Sequence, residues 1–273
     1  MPVRLIRRVT FSAGHRFWLS QLSEAENRRL FGVWASPYNH GHNYVLEAAI
    51  EGEPDPETGM VVNIKVLDDL LDERIVAHLD RKSLNDEIPH FAERVPCLEN
   101  LLPYVRDRIG ELPIGTRLTG IRLAETPDFY AESTLRNGAW NMTLTRLYEF
   151  AASHRLYSPN LSEDRNAELY GKCANPTGHG HNYKVEITVD GEPDPVTGMM
   201  VDLEALDRAV HERVVDRYDH HNLDTDLPEF QGKITTSEVV AAEIWKALEG
   251  RLPAKLRRVR LYETDRSYFE VEG

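Results

Sequence analysis

The sequence predicts an α+β chain made of two copies of one domain, each an antiparallel four-stranded sheet covered on one face by helices. Two observations carry this. The first is a long repeat. Phe11-Ser12-Ala13-Gly14-His15-Arg16 resembles Phe150-Ala151-Ala152-Ser153-His154-Arg155, and Asn39-His40-Gly41-His42-Asn43-Tyr44 resembles Gly178-His179-Gly180-His181-Asn182-Tyr183. Gly52-Glu53-Pro54-Asp55-Pro56 recurs from Gly191 to Pro195. The offset is 139 residues for His15 to His154, His40 to His179 and Gly52 to Gly191, and 138 for Glu125 to Glu263. A register held over this span marks a duplicated domain, and the period is far too long for a solenoid. The second observation is that hydrophobic periodicity changes in the same order in both halves: two strands, two helices, two strands (ββααββ). A chain of 273 residues suits two such domains, placed at 1–136 and 137–273, with a short junction and no Gly/Ser linker.

The elements follow in order. Val3, Leu5, Val9, Phe11, Ala13 and His15 share one parity, with Arg4, Arg8, Thr10 and Ser12 between them, which is a half-buried strand. Ser23 with Glu26 reads as a capping box opening a short helix. His40, His42, Tyr44, Leu46, Ala48 and Ile50 share one face of a second strand, and the Pro/Gly-containing segment from Glu53 to Gly59 turns the chain. Helical spacing runs over Val66 to Ile75 and Leu98 to Ile109, and strands over Arg117 to Glu125 and Asp128 to Glu132. The second half repeats this, with strands near Met142 to His154, Asn182 to Asp190, Arg257 to Thr264 and Tyr268 to Val271. Its helices lie near Leu203 to Val215 and Ser237 to Leu248.

Bulk properties exclude several classes. The formal net charge of −13 argues against a general nucleic-acid binder, which needs a basic face. It also requires any anionic substrate to be met by a local basic pocket. No apolar run of about 18 residues is present, so no membrane span is expected. The N-terminus enters strand-like alternation without a signal-type apolar block, which points to the cytoplasm. Two cysteines, Cys97 and Cys173, make no disulfide framework and are expected as free thiols.

Six of the eleven histidines sit in the repeat. Residues i and i+2 of a strand face the same way, so His179-Gly180-His181 aims two imidazoles together. His154 ends the preceding strand on its apolar parity and supplies a third. Three histidines with a fourth position free is the pattern of a catalytic zinc site. Imidazole suits zinc, with nickel and iron as alternatives on ligand type. His15, His40 and His42 make the same set in the first half, where metal is expected too.

The halves then diverge. Cys173 lies six residues before His179, where the first half has Trp34 before His40. Asp219-His220 aligns with Asp80-Arg81. A thiolate is a competent base near neutral pH when a histidine and a metal lower its pKa, and an aspartate orients the imidazole. The bland alternative is a small buried Cys173 and a capped turn at Asp219-His220. Glu263, and Glu125 in the first half, share the parity of inward apolar residues. A buried carboxylate needs a partner, either an arginine or two adjacent N–H donors on an amino-pyrimidinone edge. Thr235 with Glu238 reads as a capping box. The same helix N-terminus can hold a substrate heteroatom, which makes Thr235 and Thr236 substrate-binding candidates.

Residues 150 to 273 resemble the 6-pyruvoyltetrahydropterin synthase family through Ala152-Ser153-His154-Arg155-Leu156-Tyr157-Ser158, Gly171-Lys172-Cys173, Asn175-Pro176 and His179-Gly180-His181-Asn182-Tyr183-Lys184-Val185. Asp219-His220, Asn222-Leu223-Asp224 and Tyr262-Glu263-Thr264-Asp265 complete the match. Residues 1 to 133 look like a diverged copy. The resemblance implies a tandem pair of tunnelling-fold domains and conversion of 7,8-dihydroneopterin triphosphate to 6-pyruvoyltetrahydropterin with loss of triphosphate. It implies zinc on His154, His179 and His181, Cys173 as base, Asp219 and His220 assisting from a neighbouring subunit, and Glu263 anchoring the pterin. Assembly into a homo-oligomer is then required, and a trimer of two-domain chains is expected to mimic two stacked rings. The nearest alternative is 6-carboxytetrahydropterin synthase of the 7-deazaguanine route. The others are a non-catalytic pterin- or metal-binding protein, which suits the first half, and a general zinc hydrolase. Arg155, Lys172 and Lys184 are the cations nearest the motifs.

Overall fold

The computed structural model describes residues 1–273 and divides them into two compact units. The first holds Met1–Thr145 together with Gly191–Met200, and the second Arg146–Asp190 with Val201–Gly273. The sequence junction at 136/137 is the turn of a hairpin rather than a boundary of compactness. Asn137 (φ 53°) and Gly138 (φ 80°) both adopt left-handed backbone, as a two-residue turn between twisted strands requires. The strand that follows runs unbroken past residue 145.

In the first unit, β1 (Val3–His15), β2 (His40–Gly52), β4 (Thr116–Thr126) and β5 (Phe129–Arg136) pair antiparallel in the order β1-β2-β4-β5. In the second, β6 (Ala139–His154, from Arg146 on), β7 (His179–Asp190), β9 (Lys255–Thr264) and β10 (Ser267–Glu272) lie in the order β6-β7-β9-β10. The sequence pattern did not announce one further strand per half. β3 (Lys82–Ser83) pairs parallel to β1, and β8 (His221–Asn222) parallel to β6. Each is two residues long, too short to show a period, and each directly follows the divergent Asp80-Arg81 or Asp219-His220 pair.

The helices arise where expected, with two local differences. α1 (Glu24–Phe31) opens on a complete capping box: Ser23 Oγ accepts from Glu26 N–H and the Glu26 carboxylate accepts from Ser23 N–H. α2 (Ile64–Leu71) is followed by a π-helical turn over Asp72–Val76, and its counterpart α5 (Leu203–Val210) by one over His211–Val215. α3 (Leu98–Ile109) buries Leu98, Leu101, Leu102, Val105 and Ile109, one stripe at helical spacing, against β4 and β5. In the second unit α4 (Glu163–Tyr170) precedes the Cys173 turn, and α6 (Ser237–Leu248) packs on β9 and β10. The capping box expected at Thr235 and Glu238 is not made. The helix starts one residue later, with Thr236 as N-cap and Val239 at its third position, so no box can form; the Thr235 hydroxyl donates instead to Asp224 at 2.6 Å.

The two cores repeat down to ring geometry. Phe11 stacks on Tyr44 with centroids 5.1 Å apart, and Phe150 on Tyr183 at the same distance. One buried charge is particular to the first unit. Glu99 is enclosed, and its carboxylate accepts the Met200 N–H at 3.1 Å. Burial raises its pKa, with the Met200 amide and Cys97 pulling the other way. A carboxyl raised in the folded state binds its proton more tightly than the unfolded polypeptide does. Its contribution is therefore complete below the unfolded value and lost as pH rises through the folded one. Glu99→Gln keeps the acceptor and removes the charge. Its thermal midpoint is expected to exceed the parent's at pH 8 and to converge on it near pH 4. An unchanged difference across that range would contradict a strained carboxylate.

Candidate metal centres and active site

Strand register assembles both histidine sets. His15 at the end of β1 lies opposite His40, the first residue of β2, and His42 follows two residues on. The ring centroids are 4.5 Å (His15–His40), 5.1 Å (His15–His42) and 5.0 Å (His40–His42) apart. In the second half the same separations are 4.6 Å (His154–His179), 5.3 Å (His154–His181) and 4.9 Å (His179–His181). In each triad one ligand atom per histidine falls within 4.8 Å of the others. The glycine between the paired histidines is what lets the strands close: a Cβ on Gly180 would stand 3.2 Å from the Ala152 carbonyl oxygen, and one on Gly41 3.3 Å from that of Ala13.

The nitrogens are prepared for a cation. His154 is fully buried, and its Nδ1 lies 2.7 Å from the Thr235 carbonyl oxygen. A carbonyl only accepts, so Nδ1 carries the hydrogen and Nε2 offers its lone pair. His15 makes the same contact with Pro96 at 3.1 Å. Burial first, then the neighbouring imidazoles, lowers His15 to about 3. Burial also lowers His154, against the opposing pull of the Thr235 carbonyl and Glu263, and it lowers His181. His179 Nδ1, His181 Nε2, His15 Nε2 and His42 Nε2 are buried without a hydrogen-bond partner. Neutral imidazoles with unsatisfied buried nitrogens suit a divalent metal, and a three-histidine set leaves a position open.

Glu263 faces the triad, with Oε1 3.5 Å from His154 Nε2 and 3.7 Å from His181 Nε2. Its nearest ionisable neighbours are these histidines rather than the arginine considered as its alternative partner. Glu125 stands 3.3 Å from His42 Nε2. Cys173 is half-buried in the turn Gly171–Ala174, and its carbonyl accepts the Leu156 N–H. Tyr183 is pushed up chiefly by burial and then by Glu263, Asp224 and Cys173. Tyr183 had no assigned role, yet its hydroxyl lies 3.5 Å from the His154 ring nitrogens. Asp224 was likewise unassigned. It holds the Thr235 hydroxyl and the Arg155 N–H, tying both flanks of His154 together. Thr235 and Thr236 stand next to the triad through the Thr235 carbonyl.

Asp219 and His220 form a separate module. Asp219 accepts the Ala151 N–H at 2.7 Å, and its second oxygen lies 2.6 Å from His220 Nδ1. Those two contacts lower the Asp219 pKa. His220 is left-handed (φ 59°), its side chain is 84% exposed, and it opens on a cleft of about 590 Å³ bordered by Ala151, Ser153, Asn182 and Asp226. Ala152 and His181 also border this cleft, so residues of both parities line it. Asp80-Arg81 has the same backbone: Arg81 has φ 58°, its N–H donates to the Ser12 carbonyl, and Asp80 accepts the Ser12 N–H. Of the candidate cations, Lys184 pairs with Asp265 at 3.0 Å, Arg155 lies over the Tyr157 ring, and Lys172 is exposed beside Cys173. No helix is long and apolar enough to cross a membrane.

The family model for 6-pyruvoyl tetrahydropterin synthase matches residues 4–135 and again 143–273. The chain is similar to 6-pyruvoyl tetrahydrobiopterin synthase of Pongo abelii, 48% identical over 131 residues, which are 48% of this chain and 90% of that one. It is also similar to 6-carboxy-5,6,7,8-tetrahydropterin synthase of Rickettsia conorii, 27% identical over 148 residues, covering 48% and 99% of the two proteins. Among solved structures, Caenorhabditis elegans 6-pyruvoyl tetrahydropterin synthase matches with 40% identity and a TM-score of 0.46, over 48% of this chain and 94% of that one. With both halves matched, the chain is a tandem α+β member of the 6-pyruvoyl tetrahydropterin synthase family.

Proposed function

We propose that the second half converts 7,8-dihydroneopterin triphosphate to 6-pyruvoyltetrahydropterin with loss of triphosphate, and that the first half is a non-catalytic copy. The supporting observation is the contrast between two near-identical histidine triads. One is accompanied by Cys173 and Asp219-His220, the other by Trp34 and Asp80-Arg81. Zinc, held by His154, His179 and His181, would supply Lewis acidity at the substrate's hydroxylated arm. Glu263 accepts hydrogen bonds from adjacent ring N–H groups and sets the pterin edge, with Thr235 and Thr236 beside it. Cys173, as thiolate, takes the proton from a carbon of that arm. The Asp219 carboxylate holds hydrogen on His220 Nδ1 and presents Nε2 outward. Because the His220 side chain is 84% exposed and its ring partner is Asp219 rather than its own triad, we read the pair as serving the site of another copy. Activity therefore needs assembly.

The test is anaerobic incubation of the zinc-loaded protein with 7,8-dihydroneopterin triphosphate and identification of the pterin by mass. A 6-pyruvoyl product supports the reading. A 6-carboxy product moves the protein to the second activity found among its relatives, and no turnover rejects catalysis. Asp219→Asn offers an internal check. The substituted amide retains an oxygen to accept the Ala151 N–H but turns its NH2 to His220 and reverses the imidazole tautomer. The expected result is a kcat loss of about 10²–10⁴-fold with zinc content unchanged; wild-type kcat would remove the pair from the mechanism.

A further inference from the structure

The two halves hold one arginine in opposite ways. In the first, Arg16 follows the triad residue His15, and its guanidinium is neutralised. Nη1 and Nη2 donate to the two Asp86 oxygens at 2.8 and 2.6 Å, and Nη1 also donates to the Asn39 side chain at 2.9 Å. Arg16 first, then the Ser83 hydroxyl, holds Asp86 well below the usual carboxylate range.

Arg155 stands at the matching place after His154. Its backbone N–H is held by Asp224 as that of Arg16 is by Asn85. That shared contact fixes the alignment, so Asp86 corresponds to Thr225 and Asn39 to Gly178. Both partners of the guanidinium are therefore gone. At Gly178 no side chain can return: its backbone is left-handed (φ 72°), and a Cβ there would stand 2.9 Å from the His154 carbonyl oxygen. The Arg155 guanidinium is held by other groups. Nε donates to the Ala174 carbonyl at 2.9 Å, and Cζ lies 4.1 Å from the Tyr157 ring centroid. Neither partner is a carboxylate, so the positive charge is uncompensated. The location matters too. Leu156 N–H donates to the Cys173 carbonyl at 2.9 Å, so residues 155 and 156 run along the turn that carries Cys173. The same turn carries Lys172 where the first half has Val33. Lys184, by contrast, is taken by Asp265 at 3.0 Å.

We infer that Arg155 binds the triphosphate arm of the substrate, with Lys172 as a second, looser charge. A guanidinium offers a flat fork of donors that matches phosphate oxygens two at a time. The Ala174 carbonyl and the Tyr157 ring fix the plane of that fork and leave its Nη1–Nη2 edge for the anion. The net charge of −13 repels such a ligand at long range, so the cations beside Cys173 must supply the attraction locally. The first half, its arginine closed by Asp86 and its lysine absent, is not expected to take the same anion. The identity of the arm rests on the reaction proposed above; the anion site is tested apart from turnover.

The test is calorimetric titration of full-length, zinc-loaded protein with inorganic triphosphate, magnesium being present so that zinc is not stripped, and separately with 7,8-dihydroneopterin. One triphosphate per protomer is expected. Arg155→Gln keeps a donor for the Ala174 carbonyl and removes the charge; it is expected to weaken triphosphate at least tenfold, and Arg155→Lys by less. Thr225→Asp leaves the arginine in place and returns the first-half acid, and it is expected to weaken triphosphate as well. Zinc content and affinity for 7,8-dihydroneopterin, which lacks the arm, are expected to stay at parent values in all three. KM for 7,8-dihydroneopterin triphosphate is expected to rise at least tenfold in Arg155→Gln. A parent that does not bind triphosphate, or equal triphosphate affinity in Arg155→Gln and parent, overturns the inference. So does an Arg155→Gln protein that loses both ligands in proportion, which would make the arginine a structural residue. Triphosphate bound through Arg155 by a protein that makes no pterin rejects the assigned reaction and keeps the anion site.

Discussion

Cys173→Ala is expected to lower kcat by about 10²–10⁴-fold, the range for removing a positioned general base, while leaving zinc content and fold in place. The fold survives because the residue is half-buried in a short turn whose framework bond uses its backbone carbonyl, not its sulfur. The metal survives because the three imidazoles draw their orientation from the strands and the Thr235 carbonyl, none of which involve the thiol. Anaerobic turnover alongside zinc analysis checks this. A variant that loses zinc together with activity would make Cys173 a ligand or a packing residue. One that keeps turnover would leave the base elsewhere. The converse change, Trp34→Cys, is expected to leave the first half inactive. Pro96-Cys97 there replaces Thr235-Thr236, and Arg81 replaces the titratable His220.

Metal stoichiometry is the second large effect. The two triads have matching ring separations, and each holds two buried imidazole nitrogens without a hydrogen-bond partner: His15 Nε2 and His42 Nε2 in the first, His179 Nδ1 and His181 Nε2 in the second. Two zinc ions per protomer are therefore expected. His179→Ala is expected to leave one and abolish turnover. His40→Ala is also expected to leave one, with turnover retained, and the double variant none. Elemental analysis of dialysed protein reads this directly. Because structural metal binding contributes to folding free energy, chelation is expected to lower the thermal midpoint of the parent, with each single variant already lowered. A parent holding one zinc, lost in His179→Ala and kept in His40→Ala, would make the first triad a cluster of packed neutral histidines.

Much of this was legible in the residues. The 139-residue register specified the duplication, and period-two alternation put His15, His42 and Tyr44 on one face with Phe11. A three-histidine cluster follows because strand pleat converts an i, i+2 spacing into a shared direction. The losses at Trp34 and Arg81 are readable by alignment of one half on the other.

Other features needed the folded protein. Nothing local marks Asp224 as the residue joining Thr235 to Arg155, since its partners are 11 and 69 residues away. The capping box expected at Thr235 fails by one residue of helix register, since Thr236 is the N-cap and Val239 stands where the box needs Glu or Gln. The two-residue strands β3 and β8 are too short to carry a period, yet they place Asp80-Arg81 and Asp219-His220 at the sheet edge. The sequence by itself determined the duplication, the strand faces and the ligand set, because these depend on spacings that backbone geometry translates directly. The tertiary structure alone decided that His220 stands exposed beside Asp219, and which carbonyl sets the tautomers of His15 and His154. Those outcomes depend on contacts between residues far apart in sequence, which no local period encodes.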